Sequence, residues 1–346
     1  MIILGIETSC DETAVAIIQD GKKILANVVA SSLELHQKTG GIIPEVAARE
    51  QLKCLVPVIK EALDISKLKP KDLDALAVTS GPGLIGSLLI GVEAAKTLAF
   101  AWKKPLIPIN HLQGHLYANW LETDNPPQFP ILGLTVSGGH TDLIVMKDHQ
   151  KIKWLGGTRD DAAGECFDKC ARLLELGYPG GPAIGKAASE WVTSNSKVRI
   201  LLPRPMINDQ TLDFSFSGLK TAVLTQVKNL KEKKEFNKEN IMALAYEIQE
   251  AITDVLVKKT LKAISQNQVK SLLLAGGVTA NPRLKEKMKD AIEKQEIKIP
   301  LFIPKPLFCT DNAAFVASCA FFNFKPAPWQ KIQADSSLEI EEVIKF

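Results

Sequence analysis

Leu4-Gly5-Ile6-Glu7-Thr8-Ser9-Cys10-Asp11-Glu12-Thr13-Ala14-Val15-Ala16-Ile17-Ile18 reads as a strand, a polar turn and a second strand. Asp20-Gly21 then turns the chain into a third strand from Lys23, which makes a β-meander. The layout returns 128 residues later in Leu132-Gly133-Leu134-Thr135-Val136-Ser137-Gly138-Gly139-His140-Thr141-Asp142-Leu143-Ile144-Val145-Met146. Leu4/Leu132, Gly5/Gly133, Ser9/Ser137, Thr13/Thr141, Asp20/Asp148, Lys23/Lys151 and Ile24/Ile152 coincide without a gap. Apolar strand positions coincide cheaply by chance, so the Gly, Ser, Thr and Asp matches at turns carry the argument. They indicate an internal duplication, and two meanders followed by helices and further strands predict two α/β lobes related by a pseudo-twofold axis. The cleft between such lobes is the expected ligand site.

Outward from the first meander, Val46 to Leu63 is helix-periodic and Leu73 to Thr79 reads as a strand. That strand ends in Ser80-Gly81-Pro82-Gly83-Leu84, a glycine-rich turn into a small-residue helix from Ile85 to Phe100. Amides at such a turn can hold an anion, or the glycines can serve only a tight strand-to-helix packing. Leu106 to Ile109 is a further strand, and the lobe boundary is expected there. The first lobe would then comprise residues 1–109, with 315–346 packing back onto it, and the second residues 110–314.

Asn110-His111-Leu112-Gln113-Gly114-His115 follows, with two of the chain's five histidines four residues apart. At about 3.6 residues per turn they share one helix face, and Asn110 is a suitable N-cap for a helix starting at about His111. Two adjacent imidazoles suit iron or zinc but need a third ligand. The best candidate is Asp311, in a polar break between the apolar run from Ile299 to Leu307 and a small-residue helix from Ala313 to Ala320. The plainer reading makes Asp311 an N-cap and the histidines a polar face. A zincin protease is a poor fit, because Leu112, Gln113 and Gly114 stand where His-Glu-x-x-His needs its glutamate base.

The second lobe offers several loops suited to a nucleotide. Ser137-Gly138-Gly139-His140 lacks side-chain bulk where a phosphate needs close backbone approach. Arg159 to Cys170 opens a charged helix whose Asp168 lies before Gly177-Tyr178-Pro179-Gly180-Gly181, in reach of a ligand hydroxyl or simply solvated beside Lys169. Asp213-Phe214-Ser215-Phe216-Ser217-Gly218 is a short strand pattern leading to a helix, and Ile241 to Ile264 is a long amphipathic one. Ser271 to Ala275 is a buried strand running into Gly276-Gly277-Val278-Thr279-Ala280-Asn281-Pro282. There Asn281 can bond the edge of an adenine or ribose, or cap the helix that Pro282 begins.

With 346 residues and 46% hydrophobic content the chain has ample core for two domains. No apolar run of about 18 residues is evident and residues 3–6 already read as strand, so no membrane span, signal peptide or transit peptide is expected. That argues for the cytoplasm. Six cysteines without a C-x-x-C pair suggest neither a zinc ribbon nor a disulfide framework. The net charge of +3 is compatible with nucleic-acid binding without requiring it, and Lys228 to Lys234 reads as a solvated run.

Gly5 to Thr13, Asn110 to His115, Val136 to His140, Asp161-Ala-Ala-Gly-Glu-Cys-Phe-Asp-Lys169, Asp213 to Lys220, Ala275 to Asn281 and Cys309-Thr-Asp-Asn-Ala-Ala314 together resemble the TsaD family, in order and over nearly the whole chain. Thr8-Ser-Cys-Asp-Glu-Thr13 looks like its bacterial branch. The resemblance implies the duplicated two-lobe α/β fold of actin, hexokinase and the sugar kinases (ASKHA fold). It also implies transfer of a threonylcarbamoyl group from threonylcarbamoyl-AMP to N6 of the adenosine 3′ of the anticodon, in tRNAs that read codons starting with A, with release of AMP. The implied metal ligands are His111, His115 and Asp311, for a divalent ion with iron(II) favoured over zinc. The implied substrate contacts are Thr135, Val136, Ser137, Gly138, Gly139, Asp168, Gly181 and Asn281, for an adenine nucleotide (threonylcarbamoyl-AMP or ATP) with or without magnesium. Asp11, Glu12 and His140 are candidate bases for the weakly nucleophilic amine. Partners implied are tRNA, a paralogous TsaB-like subunit, a TsaE-like ATPase and a TsaC-like synthase upstream, with the first lobe's helices as the partner face. Two other functions fit the fold alone: a small-metabolite kinase of the sugar or acetate type, and a non-catalytic nucleotide-binding subunit.

Overall fold

The computed structural model describes residues 1–194, 198–342 and 344. The opening meander forms as expected from β1 (Ile2–Glu7), β2 (Glu12–Gln19) and β3 (Lys23–Ser31), paired antiparallel. Behind it come α1 (Leu33–Thr39), α2 (Pro44–Ser66), β4 (Ala75–Gly81), α3 (Ile85–Trp102), β5 (Leu106–Asn110) and α4 (His111–Tyr117). β4 pairs parallel to β1 and β5 parallel to β4, giving a sheet of order β3-β2-β1-β4-β5.

The second meander is β6 (Ile131–Val136), β7 (Thr141–Asp148) and β8 (Lys151–Gly157). It is followed by α5 (Ala163–Leu173), α6 (Gly180–Thr193), α7 (Ser217–Glu232), α8 (Lys238–Gln266), β9 (Ser271–Ala275), α9 (Pro282–Lys294), β10 (Leu301–Phe302), α10 (Pro306–Cys309) and α11 (Ala313–Phe322). This sheet has the order β10-β9-β6-β7-β8, and β9 pairs parallel to β6. Read from the meander inward, the two sheets have the same strand order, the topological counterpart of the sequence duplication.

The first sheet is covered on both faces, which is why its central strands are apolar at nearly every position. Leu4, Ile6, Leu76 and Val78 meet Leu55, Val58 and Ile59 of α2 and Val92, Ala95 and Ala99 of α3 in one buried cluster. Gly5 points the other way, as strand alternation requires. A Cβ there would stand 2.6 Å from the carbonyl oxygen of Ala313, so the missing side chain lets α11 rest on β1. Truncating Leu76 to alanine would cost about 2–5 kcal/mol in such a core.

Two expectations change. The chain divides into two compact units, Met1–Gln128, Met146–Ile152 and Phe302–Phe346 as unit 1, and Phe129–Val145 and Lys153–Leu301 as unit 2. The division falls after residue 128 and again at 301/302 instead of near 110 and 314, because α4 and β5 pack against α11, whose base is β1. Both histidines and Asp311 therefore belong to unit 1. Second, α3 is long and apolar enough, by length and composition, to cross a membrane. It carries Glu93 and Lys96, and its buried face is the core face named above.

Candidate active site

α4 begins where Asn110 leaves β5. The Asn110 side chain accepts from the amides of Leu112 and Gln113 at 3.0 and 3.3 Å, an N-cap that places His111 and His115 one turn apart on a buried face. The cap of α11 is Asn312, which accepts from Ala314 at 3.0 Å. The plainer role considered for Asp311, capping this helix, therefore falls to its neighbour. Oδ1 of Asp311 lies 3.2 Å from Nε2 of His115 and 3.7 Å from Nε2 of His111. One donor atom from each of the three residues falls within 4.8 Å of the others.

The chemistry of this donor set fits a divalent cation. His115 is 1% exposed, yet neither of its ring nitrogens makes a hydrogen bond. Its Nε2 lies 3.2 Å from Oδ1 of Asp311, a separation at which one cation can bind both. Burial and the neighbouring His111 hold His115 below its usual pKa, which favours the neutral ring with one nitrogen free of a proton. Phe315 fixes the ring by packing, with centroids 4.6 Å apart. Gly114 makes room for this, because a Cβ there would come 2.8 Å from Cδ2 of Phe315. At His111 burial alone would lower the pKa, but the carboxylates of Glu7 and Asp311 outweigh it and hold it at about 9. Once a cation displaces the His111 proton, the set is two neutral imidazoles and a carboxylate, the ligands a borderline metal prefers.

The turn between β1 and β2 carries Asp11 and Glu12, and unit 1 holds it by side-chain donors. Nε2 of Gln51, on α2, donates to the carbonyls of Thr8, Cys10 and Glu12 at 3.4, 2.9 and 3.0 Å. Ser87 donates to Cys10 at 3.1 Å and Ser32 to Asp11 at 2.8 Å. Burial and the carboxylates of Asp311 and Asp11 raise Glu12 to about 10. Without a cation beside Asp311, Glu12 is therefore an acid at neutral pH and not a base.

Unit 2 places its loops less uniformly. Thr135 and Val136 are buried inside β6, and the hydroxyl of Thr135 has no hydrogen-bond partner there. The reachable part of that motif is Ser137 to His140, closed by Ser137 N donating to the His140 carbonyl at 2.8 Å. A Cβ on Gly138 or Gly139 would meet nothing within 4 Å, and the same holds for Gly181. These glycines leave backbone open to a ligand. Gly164 does the opposite job, since a Cβ there would stand 2.5 Å from the Ser137 carbonyl, so α5 buttresses the turn.

Asp168 accepts the Gly180 amide at 2.7 Å, and burial raises its carboxyl pKa. Asn281 is engaged at both ends of its amide. It accepts from Arg283 and Leu284 at 2.9 and 3.2 Å and donates to Oε1 of Gln249 at 3.1 Å. The helix cap weighed for it in the sequence is thus formed, and one N–H of the amide remains for a ligand edge. Sequence reasoning missed Glu7, Ser9, Gln51 and Gln249. Of these only Glu7 gave a signal, as a carboxylate at the end of an otherwise apolar strand.

Comparison with known proteins gives the fold class first. The activator of 2-hydroxyisocaproyl-CoA dehydratase from Clostridium difficile matches with a TM-score of 0.52 at 14% identity, over 93% of this chain and 94% of that one. HypF from T. kodakarensis matches with a TM-score of 0.57 at 14% identity, over 93% of this chain and 47% of that one. Likeness at these identities shows the fold alone, the duplicated α/β fold of actin, hexokinase and the sugar kinases. Residues 23–318 match the family model TsaD, tRNA N6-adenosine threonylcarbamoyltransferase. The tRNA N6-adenosine threonylcarbamoyltransferase of Symbiobacterium thermophilum is 49% identical over 321 residues, 93% of this chain and 91% of the relative. That of Thermomicrobium roseum is 45% identical over 362 residues, 98% of this chain and 95% of the relative. The chain belongs to the tRNA N6-adenosine threonylcarbamoyltransferase family. These relatives do not favour the kinase and non-catalytic readings.

Proposed function

We propose that the chain transfers a threonylcarbamoyl group from threonylcarbamoyl-AMP to N6 of the adenosine 3′ of the anticodon, in tRNAs that read codons starting with A. The observation that carries this reading is the family membership over 93% of the chain, and the His111, His115 and Asp311 cluster with its orphaned imidazole nitrogens accompanies it. N6 attacks the carbamoyl carbon, the bond from that carbon to the phosphate oxygen breaks, and AMP leaves with the electron pair. The amine's proton passes to a base.

His111, His115 and Asp311 would hold a divalent ion, iron(II) or zinc. Bound there, it would supply Lewis acidity toward the carbonyl or phosphate of the donor. The candidate bases in unit 1 are Asp11 and Glu12, the latter once it has lost its proton. His140 is the alternative from unit 2. The open backbone at Gly138, Gly139 and Gly181 suits a phosphate or a ribose. Asp168 would receive a ribose hydroxyl, and Asn281 would donate its remaining N–H to the adenine edge. Magnesium would accompany the nucleotide when it is ATP.

A TsaB-like subunit, a TsaE-like ATPase and a TsaC-like synthase upstream complete the proposed system, in the cytoplasm where tRNA is modified. The outward residues of α2 and α3 support a partner face in unit 1. Leu52 and Val56 are 69% and 72% exposed, and Ile85, Leu89 and Phe100 are also exposed.

The deciding experiment incubates unmodified tRNA with threonylcarbamoyl-AMP, the partner proteins and either the wild type or His111→Ala, and reads nucleosides by mass spectrometry. Threonylcarbamoyladenosine formed by the wild type and sharply reduced in the variant is expected. Its absence, with ATP-dependent phosphorylation of a small metabolite instead, would overturn the reading.

A further inference from the structure

Glu7 ends β1 with a fully buried carboxylate. Oε1 accepts the Ser9 amide at 2.6 Å, and Oε2 accepts the hydroxyl of Thr79, on β4, at 2.6 Å. The same Oε2 lies 3.1 Å from Nδ1 of His111, and the Ser9 hydroxyl lies 3.2 Å from that nitrogen. A buried carboxylate already receiving two donors acts here as an acceptor, so the hydrogen between it and His111 belongs to Nδ1. The other face of the ring presents Nε2 toward Asp311 at 3.7 Å. His111 is thus held between two carboxylates with its two nitrogens assigned to different tasks.

His115 provides the contrast on the same helix. Its ring is oriented by packing against Phe315, and no hydrogen bond fixes its tautomer. A ring that donates from Nδ1 to a carboxylate becomes a more basic ligand at Nε2 and loses its freedom to flip. Charge points the same way. Glu7 and Asp311 supply two negative charges to a buried site, which a divalent ion beside neutral imidazoles would balance.

We propose that Glu7 is a positioning residue of the metal centre, fixing His111 with hydrogen on Nδ1 and the lone pair of Nε2 directed at the ion. The inference rests on the metal reading of His111, His115 and Asp311. Thr79 and the Ser9 amide hold Glu7 in turn, so the sheet itself orients the ligand.

The test is a zinc competition titration against a chromophoric chelator, on wild type, Glu7→Gln and Thr79→Val, with circular dichroism to verify the fold. Glu7→Gln keeps the shape but removes the charge, and it sets an amide N–H against the Thr79 or Ser9 donor. Its zinc affinity is expected to fall about 10- to 100-fold, with a smaller loss for Thr79→Val. Nitrogen-15 histidine spectra of the zinc-loaded wild type should show the Nδ1 proton of His111 exchanging more slowly than any ring proton of His115, a contrast that ligation through Nε2 alone does not produce and that can be read even if Glu7→Gln does not fold. Wild-type affinity in a folded Glu7→Gln, or a His111 proton on Nε2, would overturn the inference. A wild type that binds no divalent ion would instead sink the metal reading on which it stands.

Discussion

Nε2 of Gln51 donates to the carbonyl oxygen of Cys10 at 2.9 Å, so a side chain of α2 fixes the turn that presents Asp11 and Glu12. The same nitrogen also reaches the carbonyls of Thr8 and Glu12. Gln51→Leu would leave these acceptors unpaired in a buried place, at about 1–3 kcal/mol for a lost buried hydrogen bond. The expected result is a lower melting temperature and a transfer rate reduced beyond what the remaining folded fraction explains. Unchanged turnover per folded molecule would show that the turn does not need this clamp.

Gly114 is tested through its neighbour. Its substitution by alanine places a methyl 2.8 Å from the Phe315 ring, which in turn packs on His115. Overpacking of this kind costs about 1–3 kcal/mol. Zinc affinity should fall together with thermal stability in Gly114→Ala, whereas Gly138→Ala, whose Cβ meets nothing within 4 Å, should leave both unchanged. A Gly114→Ala protein with intact metal binding would separate the aromatic packing from the ligand geometry.

Metal uptake should release protons. In the metal-free protein the His111 pKa stands at about 9 against a usual 6.5, and Glu12 at about 10 against a usual 4.5. Both values are raised, so the stabilisation tied to the bound protons is complete below the unfolded values and is lost as pH rises through the folded ones. The metal-free protein should therefore lose stability between about pH 4.5 and 10 through Glu12 and between about pH 6.5 and 9 through His111, while metal affinity rises over the same range. Calorimetry of zinc binding at pH 7.5 in buffers of different ionisation enthalpy reads the released protons. Release that persists undiminished in Glu12→Gln would remove Glu12 from the account.

The proposed partner face offers a separation of fold from assembly. Leu52 and Val56 stand one turn apart on the outside of α2, opposite in role to Gln51, Leu55 and Val58, which face inward. Leu52→Glu with Val56→Glu should change stability by no more than about 0.5 kcal/mol each, as exposed substitutions do. Co-purification with the TsaB-like subunit should be lost, and its retention would place the interface elsewhere.

Local pattern alone determined much of this protein. The period of the meander at Leu4 to Ile18, and its return at Leu132, predicted two sheets of one topology, because alternation and turn residues act between neighbours in the chain. The spacing of His111 and His115 placed both rings on one helix face for the same reason, and the polar break before the helix from Ala313 supplied Asp311 as their candidate companion. Which residues would serve those ligands depended on separations the chain does not display. Glu7 reaches His111 across 104 positions and Thr79 across 72, through strands that become neighbours only when β4 pairs with β1. The same holds for α4, which the sequence assigned to the second lobe and which packing against α11 draws into unit 1. Hydrogen bonds and burial between distant segments follow from how the sheet closes, and that was decided by the tertiary structure.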